Sequence, residues 1–340
     1  MKIEIENVTL GYPQRHAGPR LLAEHLSFAA PEGELVALLG RNGVGKSTLL
    51  RVLAGVRRPL KGRATLDGTE IAAMAARERA RKIAFVTTEQ IAAAHLRVDE
   101  VVAMGRAPYT GWFGTLAPED RRVVGEALER VGMSAFRDKT VESLSDGERQ
   151  RVMIARALAQ DTPLMLLDEP TAFLDLPNRY QIALLLRELA HDTGKTVIFS
   201  SHDLSTAIEL CDTLWVMTPG GVAAGAPEDL MRSGALNAMF EQTPLSLSSE
   251  GTVKLNREAL HAVRIESDAD NETGRLLVKT VERCGFAIVS ETAGTNVAAE
   301  ITILPGNGGF RVSGTDNKTT AFAADFHEIA ALLRQLAPLR

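Results

Sequence analysis

The sequence predicts a doubly wound α/β domain followed by a small α+β unit, and three observations carry that expectation. Short apolar runs recur as they do in buried parallel strands: GELVALLG, IAFVTT, PLMLLDE and TVIFSS. Stretches of helical character fall between them, at 47–54, 118–131, 147–160 and 177–191. Strands alternating with helices build a parallel sheet, whose ligands sit beyond the carboxyl ends of its strands. The third observation is a change of character at 241–256, EQTPLSLSSEGTVKLN, which is polar and rich in Ser and Thr. It divides the chain into a large domain at 1–240, a linker at 241–256 and a small α+β domain at 257–340.

Each element has its own pattern. At the start, MKIEIENVTL alternates apolar and polar residues as a half-buried strand does. Beyond the linker, AVRIES reads as strand, GRLLVKTVERCGF as helix, and AEITIL and GFRVSG as strands. The glycines of LPGNGGF between the last two signal a hairpin turn. DFHEIAALLRQL closes as an amphipathic helix with Phe326, Ile329, Leu332, Leu333 and Leu336 on one face.

Composition narrows the function classes. With 45% hydrophobic and 24% charged residues over 340 positions, the chain can bury a sizeable core. A net charge of −5 speaks against non-specific binding to nucleic acid. Cys211 and Cys284 stand far apart without metal or redox spacing, so buried thiols in a reduced, cytoplasmic setting are expected. No basic segment followed by a long apolar run opens the chain, so no secretory signal is expected. No stretch reaches the ~18–20 uncharged apolar residues that span a bilayer. A membrane role is therefore expected only through a partner.

The strongest chemical signal is Gly40, Arg41, Asn42, Gly43, Val44, Gly45, Lys46 and Ser47, which fits G-x-x-x-x-G-K-[ST] directly after an apolar strand. Glycines let the backbone wrap around phosphate, and the helix that follows adds its positive dipole end. Lys46 can reach the β- and γ-phosphates and the Ser47 hydroxyl can ligate Mg²⁺; the nucleotide-binding run is taken through Thr48. The bland alternative is an ordinary glycine-rich turn, which the strand before and the helix after disfavour. The second signal is LMLLDE, an apolar strand delivering Asp168 and Glu169 at its end. Asp168 is placed to hold Mg²⁺, and Glu169 to take a proton from the attacking water in NTP hydrolysis.

Neither motif distinguishes one class of P-loop ATPase from another; LSDGERQ at 144–150 does. Ser145 followed three residues later by Glu148 is a capping box, and a capped helix N-terminus can receive an anion. The stretch resembles the LSGGQ signature of the ATP-binding-cassette (ABC) family, with Asp146 in place of the first glycine. The resemblance covers residues 1–240 and implies a P-loop nucleotide-binding domain with a helical subdomain. It implies a homodimer in which Ser145 and Gly147 of one copy face the γ-phosphate held by the other. Asp146, a carboxylate near phosphate, is expected to point away. Tyr12 matches the residue that stacks on adenine, Asp175 in FLD matches the D-loop aspartate at the dimer contact, and His202 matches the switch histidine at the γ-phosphate. One family element departs: the glutamine expected after IAFVTT falls on Thr88 without gaps, and a small shift brings Glu89 or Gln90 into place. Gln90 suits the chemistry best.

Residues 97–114, RVDEVVAMGRAPYTGWFG, resemble the subgroup that energises import of iron–siderophore complexes, haem and cobalamin. Tyr109, Trp112 and Phe113 are expected either to dock a permease or to close the small core beneath the loop. On this resemblance the chain is an ATPase using ATP and Mg²⁺, peripheral on the inner face of the plasma membrane. Its partners are permease subunits and, indirectly, a periplasmic or lipoprotein substrate-binding protein. The rivals are an exporter motor and a soluble, non-transport cassette ATPase acting on DNA or ribosomes. The interval of about a hundred residues between phosphate loop and signature leaves no room for the long coiled coil of DNA-repair members. For the C-terminal domain two roles stay open, a dimer-stabilising appendage and a regulatory module that senses cargo.

Overall fold

The computed structural model describes residues 2–14, 18–88, 95–111, 114–248, 251–256, 261–266, 271–289, 297–304, 309–314 and 320–336. The chain divides into two compact units, Met1–Lys254 and Leu255–Arg340. The first runs through β1 (Ile3–Tyr12), β2 (Arg20–Ala30), β3 (Leu35–Gly40), α1 (Lys46–Leu53), β4 (Lys61–Leu66), β5 (Thr69–Glu70), α2 (Ala76–Ala80), β6 (Ile83–Val86) and α3 (Val98–Ala103). It continues with α4 (Pro118–Arg130), α5 (Asp146–Ala159), β7 (Leu164–Leu167), α6 (Leu176–Thr193), β8 (Thr196–Ser200), α7 (Leu204–Leu210), β9 (Thr213–Thr218), β10 (Gly221–Gly225) and α8 (Pro227–Arg232). A two-stranded ribbon, β11 (Leu245–Leu247) with β12 (Val253–Leu255), occupies the segment read as a linker.

The larger sheet has the order β10-β9-β3-β8-β7-β6, parallel throughout except for β10. Strands β3, β6, β7 and β8 were legible as unbroken apolar runs because both faces are covered. In β3 the alternate residues Leu35, Ala37 and Leu39 feed one core with α5 and α6, while Val36 and Leu38 feed the other with α1 and β1. The second sheet is antiparallel, ordered β2-β1-β4-β5. Sequence patterning finds β1 in it but not β2, β4 or β5. The β1–β2 ladder shifts register three times, between Ile5 and Val8, Val8 and Leu10, and Leu10 and Gly11, so β2 has no sustained period of two.

Helices α3, α4 and α5 pack on one another as the helical subdomain. A buried ion pair pins them: Arg106 Nε donates to Asp120 Oδ1 at 2.9 Å, and Arg106 Nη1 to the Ala159 carbonyl at 2.8 Å. The Asp120 carboxylate also accepts the Ala117 N–H at 2.9 Å, so the pair ties the start of α4 to the end of α5. Arg106→Ala would strand a buried carboxylate. We expect it to cost about 3 kcal/mol, read as a lowered denaturant midpoint with unchanged slope. The Arg106 guanidinium holds the Asp120 carboxyl below its ordinary range. That stabilisation is complete above the unfolded-state value and is lost as pH falls through the lower folded one. Both cysteines are buried and unpaired, and burial pushes the Cys211 thiol up to about 12.

The second unit comprises β13 (Ala262–Glu266), α9 (Glu272–Arg283), β14 (Ala287–Ile288), β15 (Val297–Ile303), β16 (Phe310–Gly314), β17 (Thr320–Ala323) and α10 (Phe326–Leu336). One sheet, β14-β13-β15-β16-β17, packs its Val263, Ala299, Ile301 and Val312 against Leu277 and Val281 of α9 and Ile329 and Leu333 of α10. The rings of Phe310 and Phe326 meet at 5.1 Å. Two strands escaped the sequence reading, β14 and β17, which are two and four residues long. Runs that short carry too few alternations to be recognised. Among the described residues no helix is long and apolar enough to cross a membrane, and no group of three or more His, Cys, Asp or Glu could hold a metal ion.

Candidate active site

Strand β3 ends at Gly40, the loop turns through 41–45, and α1 begins at Lys46. Two of the glycines are dictated by space and by backbone angle. A Cβ on Gly40 (φ 151°) would lie 2.6 Å from the Met217 carbonyl oxygen, and one on Gly45 (φ 118°) 3.0 Å from the Met217 methyl. The Lys46 side chain is withdrawn into this loop, buried to 5% exposure. Its ammonium donates to the Gly40 carbonyl at 2.8 Å and the Arg41 carbonyl at 3.4 Å. Burial lowers the lysine below its ordinary value, opposed by the charges of Glu169 and Asp168.

The parallel register brings the carboxylates to the same place. Leu167 of β7 pairs with Phe199 of β8, which sets Asp168 beside Ser200. Asp168 is buried and accepts two hydroxyls on Oδ1, from Ser200 at 2.8 Å and from Ser47 at 2.9 Å. Glu169 follows with φ 48°, a left-handed conformation costing about 1 kcal/mol or more for a residue with a side chain. Its N–H donates to the Ser200 hydroxyl at 2.8 Å, which anchors the strained turn. His202 Nε2 lies 2.6 Å from Glu169 Oε1, and His202 Nδ1 lies 3.4 Å from the Lys46 ammonium. An ammonium only donates, so Nδ1 accepts and Nε2 carries the hydrogen given to Glu169. Lys46, His202 and Glu169 form one hydrogen-bonded chain.

Tyr12, at the end of β1, places its hydroxyl 3.2 Å from Thr48 Oγ1. With Arg20, Leu22, Asn42, Gly43, Gly45, Lys46, Ser47, Thr48 and Glu169 it lines a cavity of about 360 Å³. Three expected residues are elsewhere. Ser145 caps α5, accepting the Glu148 N–H at 3.4 Å, while Glu148 Oε2 accepts the Ser145 N–H and hydroxyl at 2.8 and 2.7 Å. Those bonds from Ser145 hold the Glu148 carboxyl below its usual value. Asp175 caps α6 and accepts from the Asn178 N–H at 3.2 Å and from Asn178 Nδ2 at 2.6 Å. Asn178 also fills the space beside Gly147, where a Cβ would meet it at 3.2 Å. Ser145, Gly147 and Asp175 therefore form a second cluster and do not line the cavity. Asp146 turns to Arg149, at 2.5 Å.

Gln90 and Glu89, like Trp112 and Phe113, lie outside the described residues; Thr88 is exposed just beyond β6. Tyr109 spends its ring on its own chain, with the Arg106 guanidinium 3.9 Å from the centroid. Sequence reasoning passed over Ser200, although its place at the end of TVIFSS, opposite Asp168, follows from pairing two parallel strands. It also passed over Arg57, whose guanidinium sits 4.2 Å from the Tyr12 ring centroid and which no motif marks.

A lysine withdrawn into a glycine loop, facing a carboxylate pair across the ends of parallel strands, is what a P-loop nucleoside triphosphatase requires, and the protein is of that class. Residues 23–172 match the family model described as ABC transporter. The iron(3+)-hydroxamate import ATP-binding protein FhuC of Bacillus subtilis is 36% identical over 240 residues, covering 70% of this chain and 87% of FhuC. The cobalamin import ATP-binding protein BtuD of Halobacterium salinarum is 40% identical over 227 residues, 66% of this chain and 56% of BtuD. A dimeric ATP-binding cassette solved in a post-hydrolysis state with ADP and Pi superposes with a TM-score of 0.58 at 28% identity, covering 66% of this chain and 98% of that one. The chain belongs to the ABC transporter family, as one of its ATP-binding, ATP-hydrolysing members.

Proposed function

We propose that two copies of this chain form the ATPase motor of an importer for iron chelates or cobalamin. The observation that carries the motor reading is the separation of two half-sites. Lys46 and Glu169 line the phosphate-loop cavity and His202 bridges the two, whereas Ser145, Gly147 and Asp175 cluster apart at the ends of α5 and α6. A site of both parts needs a second copy, and dimeric cassettes are known among the structural neighbours. The names of FhuC and BtuD support the class of cargo.

In this reading Tyr12 stacks on adenine and the loop from Gly40 to Thr48 wraps the phosphates, with Lys46 on the terminal ones. Ser47 and Asp168 present neighbouring oxygens, 2.9 Å apart, the donor type that hard divalent cations take, so they fit Mg²⁺. When bound, Mg²⁺ neutralises charge on the β- and γ-phosphates. Glu169 takes the proton of the attacking water. His202, already bonded to Glu169, orients that carboxylate and reaches the γ-phosphate. Gln90, by the family resemblance, is the residue that would contact Mg²⁺. From the other copy come the Ser145 hydroxyl and the Gly147 N–H, with Asp146 held off the phosphate by Arg149. ATP binding closes the dimer; hydrolysis and release reopen it, which rocks an attached permease at the inner membrane face. A periplasmic or lipoprotein binding protein delivers the cargo.

Cells expressing the chain with its permease should accumulate a ferric siderophore, haem or cobalamin in an Lys46-dependent way. Uptake assays with the three cargoes decide which. Co-purification with ribosomes and no accumulation of any of them would overturn the importer reading.

A further inference from the structure

Tyr12 is gripped from behind. The Arg57 guanidinium lies 4.2 Å from the ring centroid, and Arg57 does not line the cavity that Tyr12 lines. The cation occupies one face of the ring and leaves the other to a ligand. Arg57 is itself fixed at both ends. Its Nη2 donates at 2.7 Å to the carbonyl of Gly11, the residue before Tyr12, and its N–H donates at 3.1 Å to Arg51 in the last turn of α1. The tyrosine hydroxyl meets Thr48, in the first turn of the same helix, at 3.2 Å. Helix α1 thus holds the tyrosine twice, by its hydroxyl from the first turn and by its ring from the loop that leaves the last. The strand runs close against its neighbours at this point: a Cβ on Gly11 would come within 2.5 Å of the Arg20 carbonyl oxygen and 2.7 Å of Leu60.

We infer that Arg57 is a positioning residue for the nucleoside: it fixes the Tyr12 ring so that the base meets a platform already in place. The inference rests on Tyr12 being the base-stacking residue. Its physical basis is the attraction of a guanidinium for an aromatic face, together with the gain in affinity from a side chain ordered before the ligand arrives. No step of hydrolysis passes through Arg57.

The test uses the full chain and two ligands, ATP and inorganic tripolyphosphate, which carries the phosphates without the base. Arg57→Ala should weaken equilibrium ATP binding about three- to tenfold, while competition by tripolyphosphate keeps its strength. In a Tyr12→Ala background the same substitution should add nothing, because there is no ring left to hold. Equal losses in the two backgrounds, or a parallel loss of tripolyphosphate binding, would mean that Arg57 acts through α1 and the phosphate loop, and would overturn the assignment. If Tyr12→Ala weakens ATP and Arg57→Ala does not, the Arg57 assignment alone fails. If Tyr12→Ala leaves ATP binding intact, base stacking by Tyr12 fails and takes the assignment with it.

Discussion

Glu169→Gln should bind ATP with nearly native affinity and turn it over about 10²–10⁴-fold more slowly, the usual contribution of a general base. The substitution changes little else. Glutamine has the same shape, and its amide oxygen can still accept the hydrogen that His202 Nε2 gives to Glu169 Oε1 at 2.6 Å. The backbone turn is held by the Glu169 N–H on Ser200, which the side chain does not enter. What disappears is the ability to take a proton, so the defect should fall on kcat and not on binding. Equilibrium ATP binding alongside single-turnover hydrolysis separates the two. A variant hydrolysing within a few-fold of the parent would remove Glu169 from its role and shift attention to His202.

Lys46→Met should have the second large effect, on binding. The ammonium is the cation buried in the phosphate loop, bonded to the Gly40 and Arg41 carbonyls. A charge-assisted contact to phosphate is worth about 1.5–3 kcal/mol, so ATP affinity should fall roughly 10- to 150-fold. Methionine keeps the apolar stem but takes the ammonium from the Gly40 carbonyl, while the Arg41 carbonyl keeps the Val44 N–H at 3.3 Å, so a stability loss of about 1–3 kcal/mol should accompany it. A thermal melt in the absence of nucleotide measures that loss; titration with ATP below the melting range measures the affinity. Unchanged ATP affinity would show that the loop backbone alone carries the phosphates.

Much of this was legible in the residues. A parallel strand covered on both faces must be apolar throughout, so GELVALLG and LMLLDE announce themselves, and the glycine loop between strand and helix is constrained enough to be read directly. The capping box of Ser145 and Glu148 is likewise a local pattern, as is the three-residue spacing that lets Arg149 draw Asp146 aside. The antiparallel layer was half hidden because the bulges of the β1–β2 ladder break the alternation on which reading depends. Ser200 and Arg57 were missed for another reason. Their roles are contacts between side chains from distant parts of the chain, Ser200 with Asp168 and Arg57 with Tyr12, and no local period records them.

Tyr12 hangs from the antiparallel sheet, whereas the phosphate loop and the carboxylates hang from the parallel one. A nucleotide engaging all of them is therefore a rivet through two plates. Its base fastens one layer, its phosphate tail the other, and the torsions of the ribose between them set the permitted gap. Loss of the γ-phosphate shortens the rivet at one end only, so ADP, with base and β-phosphate still in place, would keep the two layers of one copy pinned.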